Sequence, residues 1–159
     1  MACIGILERG HSFSDSVGEA FASCGIQTHD ILPVSEGKSY DAVIISTNPP
    51  EHICPCNANI LITPDCIGAK NISSLTSKSV VSYGLCKKNT LTVSSLIGTR
   101  LVVSLQCDIT TMQNGTVGEQ EFCIDIEHAD GIDNFLGIVA ALLVSDISPE
   151  TISRAVFDF

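Results

Sequence analysis

The chain has 159 residues, of which 45% are hydrophobic and 16% are charged, a composition typical of a globular domain with one buried core. Its 18 acidic residues outnumber 8 lysines and arginines, and the net charge of −10 argues against nucleic acid and anionic membranes as partners. No apolar run reaches the length of a transmembrane helix.

The N-terminal segment MACIGILERG has no basic flank before its short apolar run, so we expect no secretory signal and a cytoplasmic location. In that compartment the 8 cysteines are expected to be reduced thiols that pack as small hydrophobic side chains. Their even number is therefore no evidence for disulfides.

The first 64 residues have the pattern of a small parallel α/β unit. Residues 3–7 are short and apolar, as in a buried strand, and Val17, Phe21 and Cys24 then recur at helical spacing. Ser12, with Asp15 three residues later, resembles a capping box at the start of that helix. Their apolarity predicts three further strands, at residues 27–32, 41–47 and 58–64.

Residues 65–159 change character. A helical turn is expected near 68–76, followed by a strand at VVSYGL and by the alternating runs LTVSSLIG and TRLVVSLQCDI. Asn114-Gly115 predicts a hairpin that leads to the strand GEQEFCIDIE. Alternation places its acidic side chains on one solvated face and its Phe and Ile side chains on the other.

Two helices are predicted to close the chain. NFLGIVAALLV is apolar on nearly every side and should be deeply buried, and Ser148-Pro149-Glu150 is a typical helix start. The predicted fold class is therefore α/β within a single domain, residues 1–159. It combines a small Rossmann-like parallel sheet with helices (residues 1–64) and a small antiparallel hairpin sheet with the closing helices (residues 65–159).

This order of elements resembles the central domain of the Mur ligase family. Those ATP-dependent enzymes join amino acids or peptides to a UDP-sugar precursor of peptidoglycan, and their relatives make folate polyglutamate and cyanophycin. The resemblance is clearest over residues 58–157. There ILITPDC is similar to the family's strand before an Asn-x-Asp-Asp segment, VVSYGL to its strand ending in Tyr/Phe-Gly, and NFLGIVAALLVSDISPETI to its Asn-x-x-x-Ala-Ala helix and Ser-Pro-Glu helix start.

The sequence departs from the family where the ATP phosphates would bind. The family's Gly-Thr-x-Gly-Lys-Thr/Ser loop supplies backbone N–H groups, a lysine for charge and a hydroxyl for magnesium. Here the corresponding residues are Glu8-Arg9-Gly10-His11-Ser12, with one glycine, no lysine and an added negative charge. Asp130 and Gly131 stand where the family has a His-Asn pair, and the chain stops about where its C-terminal domain would begin.

Three functions follow from the resemblance and its gaps. The leading hypothesis is a non-catalytic Mur-ligase-like domain without a cofactor that binds a ligand or partner protein in cell-wall (peptidoglycan) metabolism. The alternative is an enzyme or binder of a small phosphorylated or carboxylated ligand at the loop between the first strand and the first helix. The third is an ATP-dependent amide ligase.

Two sets of candidate site residues carry these hypotheses. A small anion could bind at the start of the first helix, through Arg9, Gly10, His11, Ser12 and Ser14, although Ser12 could instead cap the helix while His11 is solvated. The weak metal candidates are His52, Cys54, Cys56 and Cys66. Cys-x-Cys lacks the usual two-residue gap of a zinc knuckle, so we expect structural thiols and no stoichiometric zinc.

The C-terminal residues suggest self-association. Val156, Phe157 and Phe159 crowd a terminus that would normally fray into water. Three exposed apolar side chains would form a patch of the kind that marks an interface, and two-fold pairing is the commonest way to bury one. We therefore expect a homodimer that uses the C-terminal helix or the hairpin sheet, unless Phe157 and Phe159 fold back onto their own sheet.

Overall fold

The computed structural model describes residues 1–65, 67, 72–128 and 130–157, which adopt the α/β architecture that the sequence predicts. The elements in chain order are β1 (Cys3–Leu7), α1 (Ser12–Ser23), β2 (Asp30–Pro33), β3 (Ser39–Ile45), β4 (Cys56–Pro64), β5 (Leu75–Tyr83), β6 (Leu91–Ile97), β7 (Arg100–Leu105), β8 (Ile109–Thr110), β9 (Thr116–Val117), β10 (Gln120–Asp125), α2 (Ile132–Val144) and α3 (Pro149–Arg154).

Eight strands form one mixed sheet in the order β10-β7-β6-β5-β4-β3-β1-β2. Strands β1 to β6 run parallel to their neighbours, β7 runs antiparallel, and β10 pairs antiparallel with β7. After these two reversals β10 points in the same direction as β1. The predicted division into a parallel sheet and a separate antiparallel sheet is therefore wrong for the main strands, because Tyr83 of β5 pairs with Leu91 of β6 and joins the two parts.

Among the described residues, the separate antiparallel sheet is the two-stranded pair of β8 and β9. Asn114 lies at its tip with a positive φ of 62°, and the backbone N–H of Asn114 donates to the carbonyl of Thr111. This confirms the hairpin that Asn114-Gly115 predicts. The face assignment of β10 is also confirmed, since Phe122 and Ile124 are buried while Glu121 and Asp125 are exposed.

Element boundaries differ from the prediction in two places. The strand expected at 27–32 begins only at Asp30, and it is an edge strand with little burial. The helical turn expected near 68–76 falls partly on residues 68–71, which lie outside the described residues, and Leu75 and Thr76 already belong to β5. Strand β5 begins early because its first half pairs along β4, from Leu75 opposite Cys56 onward.

The described helices all pack against one face of the sheet. Phe13, Val17 and Phe21 of α1 share a buried cluster with Ile152 of α3 and with all the buried hydrophobic side chains of α2, residues 135–136 and 138–144. As predicted, α2 is therefore surrounded by protein on nearly every side. The opposite face carries a smaller cluster built around Leu7, Val43, Ile45 and Leu61, and loop side chains cover it.

The C-terminal prediction is partly corrected. Phe157 is not exposed: it is 3% accessible, pairs with Ile126 in an isolated bridge and contacts Phe135 edge to face, with ring centroids 5.3 Å apart. Val156 is 73% exposed, and Phe159 lies outside the described residues. The segment after α3 thus packs back onto the protein at Phe157, beside Ile126.

Across the described ranges, no helix combines the length and the apolar character needed to cross a membrane.

Candidate functional site

The carboxyl ends of the parallel strands form one edge of the sheet, called the carboxyl edge below, and the chain turns there from strand to helix. Strands β1, β3 and β10 all end there, α1 follows β1, and α2 follows β10 after a short loop. In open α/β sheets ligands bind outside the carboxyl ends of the parallel strands, so this edge is the first place to look for a site.

The N-terminus of α1 is occupied by the chain's own carboxylate. The two side-chain oxygens of Glu8 accept hydrogen bonds from the backbone N–H groups of Phe13, at 2.9 Å, and Ser14, at 3.0 Å. These are among the N–H groups that a helix leaves unpaired at its start, and the helix dipole favours a negative charge at that point. Glu8 therefore holds the position that a bound anion would take.

This arrangement corrects the predicted capping box. His11 is the N-cap residue, and its side chain makes no capping hydrogen bond. Ser12 is the first residue of the helix. Asp15 is in the first turn, but the backbone donors of residues 13 and 14 turn to Glu8 instead. The Glu8 carboxylate takes the capping role predicted for the Ser12 hydroxyl, and a carboxylate makes a stronger hydrogen bond than a hydroxyl does.

The five anion-site candidates do not converge on one point. Arg9 turns away from α1: its Nε donates to the Pro49 carbonyl at 3.0 Å, and its guanidinium forms an exposed ion pair with Glu51 at 3.4 Å. Gly10 makes the turn at a φ of 95°, His11 is exposed, and the hydroxyl of Ser14 donates to the carbonyl of His11. Ser12 lines a cavity at this edge.

That cavity is a cleft of about 200 Å³ between the start of α1 and the start of α2. It is lined by side chains from α1, from the end of β10 and the loop after it, from α2 and from the C-terminal segment: Ser12, Phe13, Ser16, Ile126, Glu127, His128, Asp130, Gly131, Ile132, Asn134, Phe135, Ile138 and Phe157. A concave site with an apolar lining and a few polar groups is the usual form of a small-molecule site.

The cleft has two chemically different parts. Its floor is apolar and rigid, because Phe135, Ile138 and Phe157 are buried and the two phenylalanine rings contact each other. Its rim carries the exposed side chains of Glu127, His128 and Asp130. No lysine or arginine is found among the described residues that line the cleft.

A side-chain amide fixes the start of α2 at this edge. The Oδ1 atom of Asn134 accepts two hydrogen bonds from Thr47, one from its backbone N–H at 3.0 Å and one from its hydroxyl at 2.8 Å. Thr47 follows β3, 87 residues earlier in the chain. Asn134 therefore ties the start of α2 to the segment that follows β3.

A carboxylate likewise holds the loop between β5 and β6 by hydrogen bonds. Asp65, just after β4, accepts a hydrogen bond from the Asn89 side chain at 2.9 Å and from the Cys86 backbone N–H at 3.4 Å. Gly84 passes so close that a Cβ atom there would lie 2.5 Å from the Asp65 carboxylate. One oxygen of this exposed carboxylate is thus engaged by two protein donors, which tie the β5–β6 loop to the end of β4.

The metal candidates are spread over different environments. His52 is exposed, Cys54 donates its thiol to the Val34 carbonyl at 3.8 Å, and Cys56 is buried in the smaller core cluster. Burial, with a smaller effect of the neighbouring Cys54, raises the pKa of Cys56, which disfavours the thiolate that a metal needs. Cys66 lies outside the described residues, and the residues described contain no group of three metal-ligating side chains.

A comparison with known proteins finds no family model that matches this chain and no matching curated sequence.

Most of the cleft residues are not among the candidates that the sequence suggests. The cleft joins residues near 12, 126–138 and 157, which no local motif connects. The strand directions alone would have indicated the cleft. Two strand reversals after β6 return β10 to the direction of β1, which brings the loop after β10 to the carboxyl edge. That loop, with Glu127 and Asp130, would then be expected beside the start of α1.

Proposed function

We propose that this chain is a Mur-ligase-like core domain that binds a ligand or partner at the carboxyl edge of its sheet without binding ATP. The observation that carries the proposal is the Glu8 carboxylate on the N–H groups of Phe13 and Ser14. An ATP phosphate would need those donors, and it would meet a negative charge where the resembled family has none. The sequence resemblance over residues 58–157 supports the Mur-like assignment, and the family's role supports a place in peptidoglycan metabolism.

The proposed role is non-catalytic because the groups that would handle phosphate are engaged elsewhere. Arg9 pairs with Glu51 and Pro49, and Asp65 accepts hydrogen bonds from Cys86 and Asn89. A phosphoryl-transfer site needs cations aimed at the transferred group, and in the described residues no lysine lines the cleft. We therefore assign the cleft to binding and not to ligation.

Calorimetric titration with ATP and magnesium tests this proposal. We expect no binding up to about 1 mM nucleotide, because removing Glu8 from the helix start and placing phosphate beside it is unfavourable. The Glu8→Gly variant serves as the comparison, since it removes the carboxylate and adds a glycine to the loop. Micromolar binding of ATP–magnesium by the unmodified chain would overturn the proposal and favour the ligase hypothesis.

A second candidate function is a binder of a small phosphorylated or carboxylated ligand at residues 8–14. The Glu8 contacts favour it in one respect: they demonstrate that the donors at the start of α1 suit a carboxylate. A ligand there would have to displace Glu8. Titration with inorganic phosphate and with acetate distinguishes the two functions, because only the second candidate predicts saturable binding by the unmodified chain below about 1 mM.

A further inference from the structure

We propose that the cleft between α1 and α2 binds a small organic cation, an amine with a compact apolar or aromatic body. This inference rests on the proposed function, which puts the ligand at the same edge, and it names the chemistry of that ligand. It follows from the size of the cleft, the division of its lining and the charge at its rim.

The size of the cleft limits the apolar body. A cavity of about 150 Å³ lined by apolar side chains holds a benzene molecule. The cleft measures about 200 Å³, so it accepts one aromatic ring or a branched alkyl group with a short polar arm. The rings of Phe135 and Phe157, in edge-to-face contact, provide an apolar wall against which such a group would pack.

The charge at the rim selects a cation. Glu127 and Asp130 are exposed at the mouth of the cleft, and the two ion pairs of the described residues, Arg9–Glu51 and Arg100–Asp125, involve neither of them. Their carboxylates are therefore available to accept hydrogen bonds from an ammonium group. The net charge of −10 adds a long-range attraction for the same sign of ligand.

An anionic ligand is disfavoured in the same cleft. The helix start that would attract it, at α1, already holds Glu8. The helix start of α2 carries Asp133 in its first turn, beside Asp130 at the rim. A carboxylate or phosphate in the cleft would approach the lining carboxylates of Glu127 and Asp130, with no lining lysine or arginine among the described residues to offset them.

The test uses 2-phenylethylammonium as the probe and compares it with 3-phenylpropionate and 2-phenylethanol, which have the same ring and a short arm of different charge. Backbone amide NMR shifts of the full chain follow each titration. We expect the amine to bind with a dissociation constant of order 1 mM, as suits a ligand of this size, and to shift amides near Phe135 and Ile138. The two other probes should bind at least tenfold more weakly.

Paired variants decide whether the rim carboxylates are responsible. The double variant Glu127→Gln, Asp130→Asn should weaken the binding of the amine at least tenfold. Glu119→Gln with Glu121→Gln removes the same charge from exposed positions outside the cleft lining and should change binding less than twofold. Ser16→Phe, which fills the cleft from α1, should abolish the shifts while the thermal unfolding of the chain stays cooperative.

The inference is overturned if the amine does not bind below about 10 mM, if phenylpropionate binds equally well, or if both pairs of variants weaken binding equally. These outcomes are separate from the ATP titration. A chain that binds ATP–magnesium contradicts the proposed function, whereas a chain that binds neither ATP nor the amine contradicts only the assignment of the ligand.

Discussion

Glu8 determines what the start of α1 can bind. A residue just after β1 would ordinarily be solvated, but here its two carboxylate oxygens each take a backbone donor of the first helical turn. The contact closes a loop of five residues and compensates the positive end of the helix dipole. A single acidic side chain thus converts a potential anion site into a structural cap.

Replacing Glu8 with alanine should lower the free energy of unfolding. The variant leaves two helix donors without their charged acceptor, and loss of a comparable cap costs about 0.5–2 kcal/mol. Glu19→Ala is the matched control, because Glu19 is an exposed residue of the same helix and its loss should change stability by less than about 0.5 kcal/mol. Urea unfolding of both variants measures the difference, and equal effects would refute the capping role.

His29 gives the protein a predictable response to acid. Burial lowers the pKa of His29, and the N-terminal ammonium lowers it further. The ring contacts Phe21 edge to face, and its Nδ1 accepts a hydrogen bond from the Ala2 N–H. Because the folded-state pKa lies below the unfolded value, His29 contributes stability above the unfolded pKa that is lost as pH falls through the folded pKa.

The stability of the unmodified chain should therefore fall more steeply below about pH 6.5 than that of His29→Gln, which keeps an acceptor but does not titrate. Unfolding curves measured between pH 7.5 and 5 give the free energy of unfolding of each protein at each pH. The slopes of these free energies against pH are then compared. Parallel slopes would show that His29 has the same proton affinity in both states.

At the scale of elements, the position of α2 is fixed by two contacts near its start and its middle. Asn134 ties the helix to Thr47, and Gly137 lets the helix backbone approach the ring of Tyr83. The Tyr83 hydroxyl in turn donates to the carbonyl of Ile45 at the end of β3. Since α2 lines one wall of the cleft, these contacts also set the width of the cleft.

Gly137→Ala should destabilise the protein although alanine is the better helix former. A Cβ atom at residue 137 would lie 2.7 Å from the Tyr83 ring, and such overpacking typically costs about 1–3 kcal/mol. Gly18→Ala in α1 is the matched control: nothing lies within 4 Å of a Cβ there, so it should stabilise the protein by about 0.5–1 kcal/mol. Thermal unfolding of the two variants should shift in opposite directions, and a stabilised Gly137→Ala would contradict the described packing.

Elements with a strong apolar or turn signal were predictable from the sequence. Strand β4, the buried helix α2 and the hairpin at Asn114 each have such a signal. The edge strand β2 and the first half of β5 were harder to predict, because many of their side chains are exposed and neither segment has a continuous apolar run. What makes them strands is pairing with distant segments, which local periodicity does not report.

The candidate site was predictable only in part. The sequence places a negative charge, Glu8, where the resembled family binds phosphate, and this follows from residue types alone. That Glu8 hydrogen-bonds to the helix, and that Arg9 turns toward Glu51, depends on loop geometry. The cleft depends on sheet topology, because Ser12, Asn134 and Phe157 meet only after the strands are ordered.

At the scale of the whole molecule, the described helices cover one face of the sheet, and loops cover part of the other. The proposed homodimer therefore has to use surfaces other than Phe157, which is buried. The exposed apolar side chains of the described residues include Ile97, at 78%, in the β6–β7 hairpin and Val156, at 73%, after α3. This fits the predicted use of the hairpin sheet or the C-terminal helix.

We expect light scattering at micromolar concentration to report twice the chain mass of 16.8 kDa. Replacing both Ile97 and Val156 with lysine should return the protein to the mass of one chain, because two charges would then have to be buried in the interface. Leu32→Lys, at a partly exposed position on the edge strand β2, is the control and should leave the dimer intact. A mass of 16.8 kDa for the unmodified chain would refute the dimer.

The most direct test of the central claim follows the backbone amide NMR signals of Phe13 and Ser14 while ATP–magnesium is added. If Glu8 holds the position of the phosphate, both signals stay fixed in the unmodified chain and move when Glu8 is replaced with glutamine, even without nucleotide. Saturable shifts of both signals on addition of ATP–magnesium to the unmodified chain would instead demonstrate a working phosphate site and contradict the account.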